Sequence, residues 1–438
     1  MFAIAVIPLP GASGKAQPPA LPDQRHSLVV GWQWSDRDDG YPPFRLDARH
    51  ANIAGRHLPD CVFYEGLFGG DARPLTFVPE GLAPSDAAGL RRIAHAVVPG
   101  KHGQTAVIAG ALARPVCTVV DKSAPPGSGD LHDYVSYARY YWPDPAKPGG
   151  LPYIARDGES NEAQVARGDH GRLWTFFDTV DVLATAWRDN RDAACAQRAG
   201  EWLRAWLVTP ATRMNPNLEY AQVRPGHDGD RGSNYGIIDT RGFGQIIANI
   251  RMLRDSGALS PEDGAALRKW FSAYLDWLVT SQNGIAERAM KSNHGTWYVA
   301  QALPIACHVA RLDLAREFCE ETKARIAVQI APDGSQPIDI KRVDGLGYSH
   351  FNLRAHAQIA RAARDLGVDF WNYTAPNGAS LRRAVAFLAP YNDAPEKWPY
   401  SQKAKLAPGF LNALLREMEE MEETALAGEG ASALPHSR

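Results

Sequence analysis

From Asn161 onward the apolar residues recur at three- and four-residue intervals, and no run of strict alternation interrupts them. That periodicity fits amphipathic helices and argues against a sheet as the main layer. Asn161 to Arg188 carries the stripe Leu173, Phe176, Phe177, Val180, Leu183 and Trp187, and Arg191 to Val208 carries Ala194, Ala199, Trp202, Trp206 and Leu207. Further helices are expected over Gly242–Leu253, Pro261–Thr280, a segment opened by Lys291–Tyr298, Leu312–Gln329, Tyr348–Leu366, residues 380–389 and residues 404–423. An earlier helix is expected over 83–98, started by Ser85 and Asp86 and stopped by Gly100. Successive helices of about 12 to 25 residues without a strand series predict an all-α chain, its helices paired antiparallel into a ring or an array. No short motif recurs, so a solenoid of consensus repeats is not expected.

Two stretches break the pattern. Residues 121–160 hold Tyr140-Tyr141-Trp142-Pro143-Asp144-Pro145 and Gly149-Gly150-Leu151-Pro152-Tyr153-Ile154, and proline with glycine excludes a long helix there. Residues 209–240 hold Asn215-Pro216-Asn217 and the run Asp228 to Tyr235. Loops so rich in aromatic and charged side chains read as walls of a cleft. Residues 1–45 are proline-rich and aperiodic and read as an extended arm. Residues 46–425 then form the helical domain, and 426–438, rich in Gly, Ala and Ser, form a disordered tail.

Net charge is −2, so no basic excess points to nucleic acid, and a polyanionic ligand would need positive charge local to a cleft. No apolar run reaches membrane-spanning length. The five cysteines form no metal-type cluster, and an odd number does not fit a fully paired scaffold, though one disulfide is compatible with it. Met1 to Pro10 is apolar but lacks a basic start; an atypical export signal, hence secretion or periplasmic export, is the expectation.

The stretch Lys291-Ser292-Asn293-His294-Gly295-Thr296-Trp297-Tyr298 heads a helix with one expected buried face. Taken alone, Asn293 reads as a cap and His294 as a core histidine. Their position also suits groups that must be aimed from a rigid mount. Three other patches accompany them: the 140–145 loop, Gly236-Ile237-Ile238-Asp239-Thr240-Arg241, and Gly347-Tyr348-Ser349-His350-Phe351-Asn352-Leu353. Together and in this order, over residues 120–390, they resemble the alginate lyase superfamily.

The resemblance implies an (α/α) toroid or incomplete helical barrel that degrades polyuronates by β-elimination. It implies that Asn293, His294, Tyr348 and Arg342 are catalytic. It places Tyr140, Tyr141, Trp142 and Arg241 against the substrate; beyond what it implies, Trp297 and Tyr298 beside the motif and His350 are expected as further substrate contacts. Three departures concern the substrate: Asp344 stands where relatives often carry a second arginine, His350 where an aliphatic residue is common, and the run Asp228 to Tyr235 is unusual.

The residue chemistry agrees with elimination. Abstraction of a uronate C5 proton requires stabilisation of charge growing on the carboxyl group, which Asn293 and Arg342 can supply as donors. A tyrosine is a poor base unless cations favour its phenolate. Arg342 or a protonated His294 can do this for Tyr348, which then takes the C5 proton or protonates O4. No His-x-x-x-His or cysteine cluster accompanies these residues, so no metal or cofactor is expected. The expected partner is an anionic polysaccharide, neither nucleic acid nor membrane. Alginate rich in mannuronate is the first choice and β-1,4-glucuronan the alternative. A glycoside hydrolase would need two facing carboxylates, for which Asp239, Asp333 and Asp344 are candidates. A non-catalytic polysaccharide-binding protein would use the aromatic loop without the Asn-His pair.

Overall fold

The computed structural model describes residues 76–78, 82, 84–97 and 101–419. The expected N-terminal arm, the tail and Cys61 lie outside the described residues. The chain divides into two compact units, 1–110 and 111–438. In the first, helix α1 (Pro84–Val97) begins at Pro84, with Asp86 in its first turn. Helix α2 (Lys101–Ala113), absent from the sequence expectation, runs to the boundary and just past it.

The second unit is helical. Its helices are α3 (Glu162–Val165), α4 (His170–Asn190), α5 (Ala193–Leu207), α6 (Phe243–Met252), α7 (Pro261–Thr280), α8 (Gln282–Arg288), α9 (Asn293–His308), α10 (Leu312–Gln329), α11 (Pro337–Ile340), α12 (Gly345–Ala363) and α13 (Leu381–Leu388). Local chemistry sets their ends. Asp192 accepts from the backbone N–H groups of Ala194 and Cys195 to cap α5. Ser260 and Asp263 form a reciprocal capping box before α7, whose first residue is Pro261.

The packing defines two rows. α4, α6, α9 and α12 contact one another in succession and form an inner row. α5 packs on α4, α7 and α10 pack on α9, and α13 packs on α12 as outer partners. This is the helical toroid expected from the sequence. At its centre α9 is buried around its whole circumference, since every residue from Gly295 to Ala306 is buried. The expectation of a single buried face is corrected, because neighbours surround the helix on all sides. Its polar residues are satisfied within the core: Thr296 donates to Gln329 at 3.0 Å, and Gln301 donates to the Ile237 carbonyl at 3.0 Å.

Two expected helices differ in extent. The stripe from Asn161 is interrupted at 166–169, where buried Asp169 accepts from the Val135 N–H at 3.0 Å and pairs with Lys122 at 3.1 Å. A side chain at Gly168 would meet the Val135 carbonyl at 2.6 Å, so the chain pinches there and restarts with His170 heading α4. Near the C-terminus, Pro408 and Gly409 form a turn, and helix resumes only over 412–419.

The irregular stretches contain short strands that tie them down. β1 (Val135–Tyr137) runs parallel to β4 (Tyr220–Val223), pairing Val135 with Tyr220. β2 (Tyr141–Trp142) pairs antiparallel with β3 (Ile154–Ala155), setting Tyr141 opposite Ala155. The first pairing holds the 121–160 and 209–240 loops against each other, and the second folds the 121–160 loop back on itself. Among the described residues four cysteines, Cys117, Cys195, Cys307 and Cys319, are unpaired.

Candidate active site

A cleft of about 600 Å³ opens in the second unit. Its walls include Tyr140, Tyr141, Arg139 and Asp157 from the first loop, Gln222 and Tyr235 from the second, His170 at the start of α4, and Arg241 just before α6. Asn293 and His294 enter from the start of α9, Tyr348 from the first turn of α12, and Arg342 from the segment before it. All four residues expected to be catalytic thus line one cavity, together with Tyr140, Tyr141 and Arg241.

The Tyr348 hydroxyl accepts from an Arg342 N–H at 3.0 Å and lies 3.3 Å from the Tyr140 hydroxyl. The Arg342 guanidinium also lies over the Tyr348 ring, 4.0 Å from its centroid, and pairs with Asp157 at 2.8 Å. Burial raises the Tyr348 phenol above the ordinary tyrosine range and the Tyr140 hydroxyl adds to this, while Arg342 pulls the other way. With Asp157 sharing the guanidinium, the phenol is held protonated at rest. In that state it can donate a proton, and Arg342 alone does not make it a phenolate.

Asn293 is not a cap. Ser292 occupies the N-cap position, and the Asn293 amide turns inward to donate to Asp339 at 3.1 Å. Both residues are buried, at 1% exposure each, and an acceptor-only carboxylate fixes which end of the amide faces it. Burial pushes the Asp339 carboxyl up to about 6, opposed by the Asn293 N–H, Arg342 and His294. His294 is not a core histidine either: its Nδ1 lies 2.6 Å from Glu287, while its ring meets Tyr235 edge-on at 5.2 Å. Gly295 next to it has a steric role. A Cβ there would sit 2.1 Å from the Met290 carbonyl and 2.3 Å from the Arg325 guanidinium, which braces that carbonyl.

Arg241 closes the floor. Its guanidinium lies 4.2 Å from the Trp174 ring centroid and donates to the Ile238 carbonyl at 2.9 Å. Burial lowers it to about 10, so it stays charged at neutral pH.

The remaining expected contacts lie elsewhere. Tyr298 is fully buried, and its hydroxyl donates to the Leu278 carbonyl at 3.0 Å, so the expectation of a substrate contact is corrected. Trp297 packs on Phe351 at 4.9 Å and borders a separate cavity of about 430 Å³ behind Arg241. His350 points away, edge-on to Phe410 at 5.2 Å, and burial lowers it to about 4. Trp142 donates to the Glu159 carbonyl at 2.9 Å and braces the loop without lining the cleft. For these side chains, helical or strand periodicity turned them away from the wall that their neighbours form.

Three of the site's carboxylates were not singled out by the sequence, namely Glu287, Asp339 and Asp157. Of the three acids considered for a hydrolase, only Asp239 lines the cleft. Its carboxylate already accepts from Tyr134 at 3.1 Å, Ser136 at 2.5 Å and Gln222 at 2.8 Å. Asp344 accepts from the Lys403 N–H at 2.9 Å, tying the start of α12 to the 401–404 segment, and Asp333 accepts from the Ser335 N–H at 2.9 Å as a local turn anchor. Asp344 in place of an arginine therefore does not reach the cleft.

A toroid of paired helices, with an Asn-His pair and an Arg-backed tyrosine in one cleft, matches a known class of enzyme. The alginate lyase family profile matches residues 118–398, well over half of the chain, and the chain belongs to that family. It is a polysaccharide lyase. It is similar to the crystal structure of an alginate lyase from Bacteroides ovatus, with 32% identity and a TM-score of 0.70, covering 77% of this chain and 90% of that one. Alginate lyase A1-III from Sphingomonas species A1 is a more distant likeness, at 14% identity and a TM-score of 0.44, covering 70% of this chain and 84% of that one. No curated protein matches the sequence. Among the described residues no helix is long and apolar enough to cross a membrane, and no group of three or more His, Cys, Asp or Glu side chains is placed to hold a metal.

Proposed function

We propose that this lyase cleaves a 1,4-linked polyuronate by β-elimination, with mannuronate-rich alginate as its preferred substrate, acting outside the cytoplasm on an exported polymer. The observation that carries the reading is the Tyr348 hydroxyl, bonded to Arg342 and Tyr140 in the same cleft as Asn293 and His294. Asn293 and the cleft arginines receive the uronate carboxylate and stabilise the charge that develops as the C5 proton leaves. When C5-H and O4 share a face of the ring, the Tyr348 oxygen serves both in turn: its own proton passes first to a base in the cleft, for which His294 is the candidate, and the phenolate then takes the C5 proton and hands it to O4. The O4 bond then breaks, leaving a C4–C5 double bond on the new non-reducing end. The same family membership in the Bacteroides ovatus protein, described as an alginate lyase, supports alginate over other polyuronates.

Mannuronate and glucuronate differ only at C2, and both carry C5-H and O4 on one face. β-1,4-Glucuronan therefore asks for the same proton transfers and is the alternative substrate. Guluronate, the C5 epimer of mannuronate, places the two groups on opposite faces. The protonated state of Tyr348, together with an imidazole in the same cleft, favours a second reading for that sugar, with His294 as base and Tyr348 as acid.

The test is an ultraviolet assay for the unsaturated uronate on polymannuronate, polyguluronate and polyglucuronate, with the wild type and His294→Ala. Highest kcat/KM on polymannuronate supports the proposal. Activity confined to polyglucuronate overturns the alginate assignment, and cleavage without ultraviolet absorbance overturns elimination itself.

A further inference from the structure

Glu287 is fully buried on the short helix α8, where its charge acts on the guanidinium of Arg325 but its hydrogen bonds go elsewhere. One carboxylate oxygen lies 2.6 Å from Nδ1 of His294, and the other accepts from the Asn234 side-chain amide at 2.8 Å. Asn234 and Tyr235 belong to the irregular 228–235 run, and Tyr235 is the residue whose ring meets the imidazole. Glu287, Asn234 and Tyr235 therefore form a cradle around one histidine. A buried carboxylate is costly unless it is paired, so its retention at this point asks for a reason.

We propose that Glu287 is a positioning residue that fixes the tautomer of His294. An ionised carboxylate only accepts hydrogen bonds, so the proton of the neutral imidazole must sit on Nδ1. Nε2 is then left bare, and among the described residues no protein group bonds to it. The bare nitrogen belongs to a ring that lines the cleft. It is thereby ready to accept a proton from the sugar or from Tyr348, and the carboxylate behind it balances the charge of the imidazolium so formed. The inference rests on the reading of His294 as a group that takes part in elimination.

Asn234 supplies the means of testing this. In Glu287→Gln the Asn234 N–H still demands an oxygen, so the new amide turns its NH₂ toward His294. Nδ1 must then accept, and the proton moves to Nε2, the wrong tautomer for a base. The equivalent carboxylate-to-amide change in the serine protease triad costs about 10⁴ in kcat by the same logic. Adding Asn234→Asp supplies an acceptor at 234, which turns the introduced amide back and presents its oxygen to Nδ1.

The experiment combines imidazole nitrogen NMR of His294 with kinetics on the best substrate. Wild type is expected to show a protonated Nδ1 and a bare Nε2. Glu287→Gln is expected to reverse them and to lower kcat by about 10² to 10⁴ with KM within a few-fold. Glu287→Gln combined with Asn234→Asp is expected to restore the tautomer and most of kcat, a rescue that a merely structural role for Glu287 would not give. A protonated Nε2 in the neutral wild-type ring overturns the inference without recourse to any variant. Wild-type turnover in Glu287→Gln, with His294→Ala inactive, sinks the inference alone. Wild-type turnover in His294→Ala sinks the catalytic reading of the histidine and the inference with it.

Discussion

Replacing Asp339 by asparagine is expected to stabilise the protein at neutral pH. Burial lifts the Asp339 carboxyl from 3.8 to about 6 in the folded state. Each pKa unit is worth about 1.4 kcal/mol, so a shift of roughly two units corresponds to about 3 kcal/mol. The sign follows from proton binding. Between about pH 4 and pH 6 the native state holds a proton that the unfolded state has released. Stability from this site is therefore full below pH 4, falls as pH rises, and is lost above pH 6. The introduced amide does not titrate and can still accept the Asn293 N–H through its oxygen. The Asp339→Asn variant should match the wild type near pH 4 and exceed it by up to about 3 kcal/mol at pH 7.5, a gain of several degrees in Tm. Calorimetric melts of both proteins at pH 4, 5, 6 and 7.5 measure the difference, in which the titration of all other groups cancels. A difference that is flat across this range, or that favours the wild type as pH rises, would refute the claim that burial outweighs the compensating contacts of Asp339.

Tyr348→Phe should lower kcat by about 10² to 10⁴ while leaving the melting temperature nearly unchanged, because Arg342 keeps its pairing with Asp157. Near wild-type turnover in the folded variant would remove Tyr348 from the proton transfers. Asn293→Ala should cost about 10² to 10³ in kcat, the range for one lost oxyanion donor, and a change confined to KM would make Asn293 a uniform binding contact instead. Enzyme dialysed against EDTA should keep its activity, and a loss that Zn²⁺ or Ca²⁺ restores would overturn the metal-free expectation.

The helices were legible because burial at three-to-four spacing is written directly into the residue types. Leu173, Phe176, Phe177, Val180 and Leu183 are all buried on α4, as their spacing requires. The pinch at 166–169 was not legible, since it depends on Asp169 meeting Lys122 and Val135 from a distant part of the chain. The same holds within the site. Asn293, His294 and Tyr348 stand in runs whose residue types already suggest chemistry. Glu287 and Asp339 sit in the unremarkable segments Ile285-Ala286-Glu287-Arg288 and Pro337-Ile338-Asp339-Ile340, where an acid reads as a solvated charge. Only the fold turns them inward behind the Asn-His pair. Tyr298 erred in the opposite direction: adjacency to the motif suggested the cleft, but five residues beyond Asn293 the helix has turned its side chain into the outer packing against Phe318.

The topology also gives a chain of net charge −2 the locally positive cleft that the proposed polyanionic substrate requires. Each inner helix is followed by outer structure that carries the chain back, so the inner helices begin at the same end of the toroid. α4 begins with His170, α6 begins just after Arg241, α9 begins with Asn293, and α12 reaches Tyr348 in its first turn. Every one of those residues lines the cleft. The positive ends of four helix dipoles, each equivalent to roughly half a charge, therefore converge on one space. Arg139, Arg241 and Arg342 add formal charge there, offset by Asp157 and by an Asp239 engaged by hydroxyl and amide donors. On the proposed reading, recognition of a uronate carboxylate follows from the direction in which the inner helices run, and the basic residues needed are few because the backbone contributes with them.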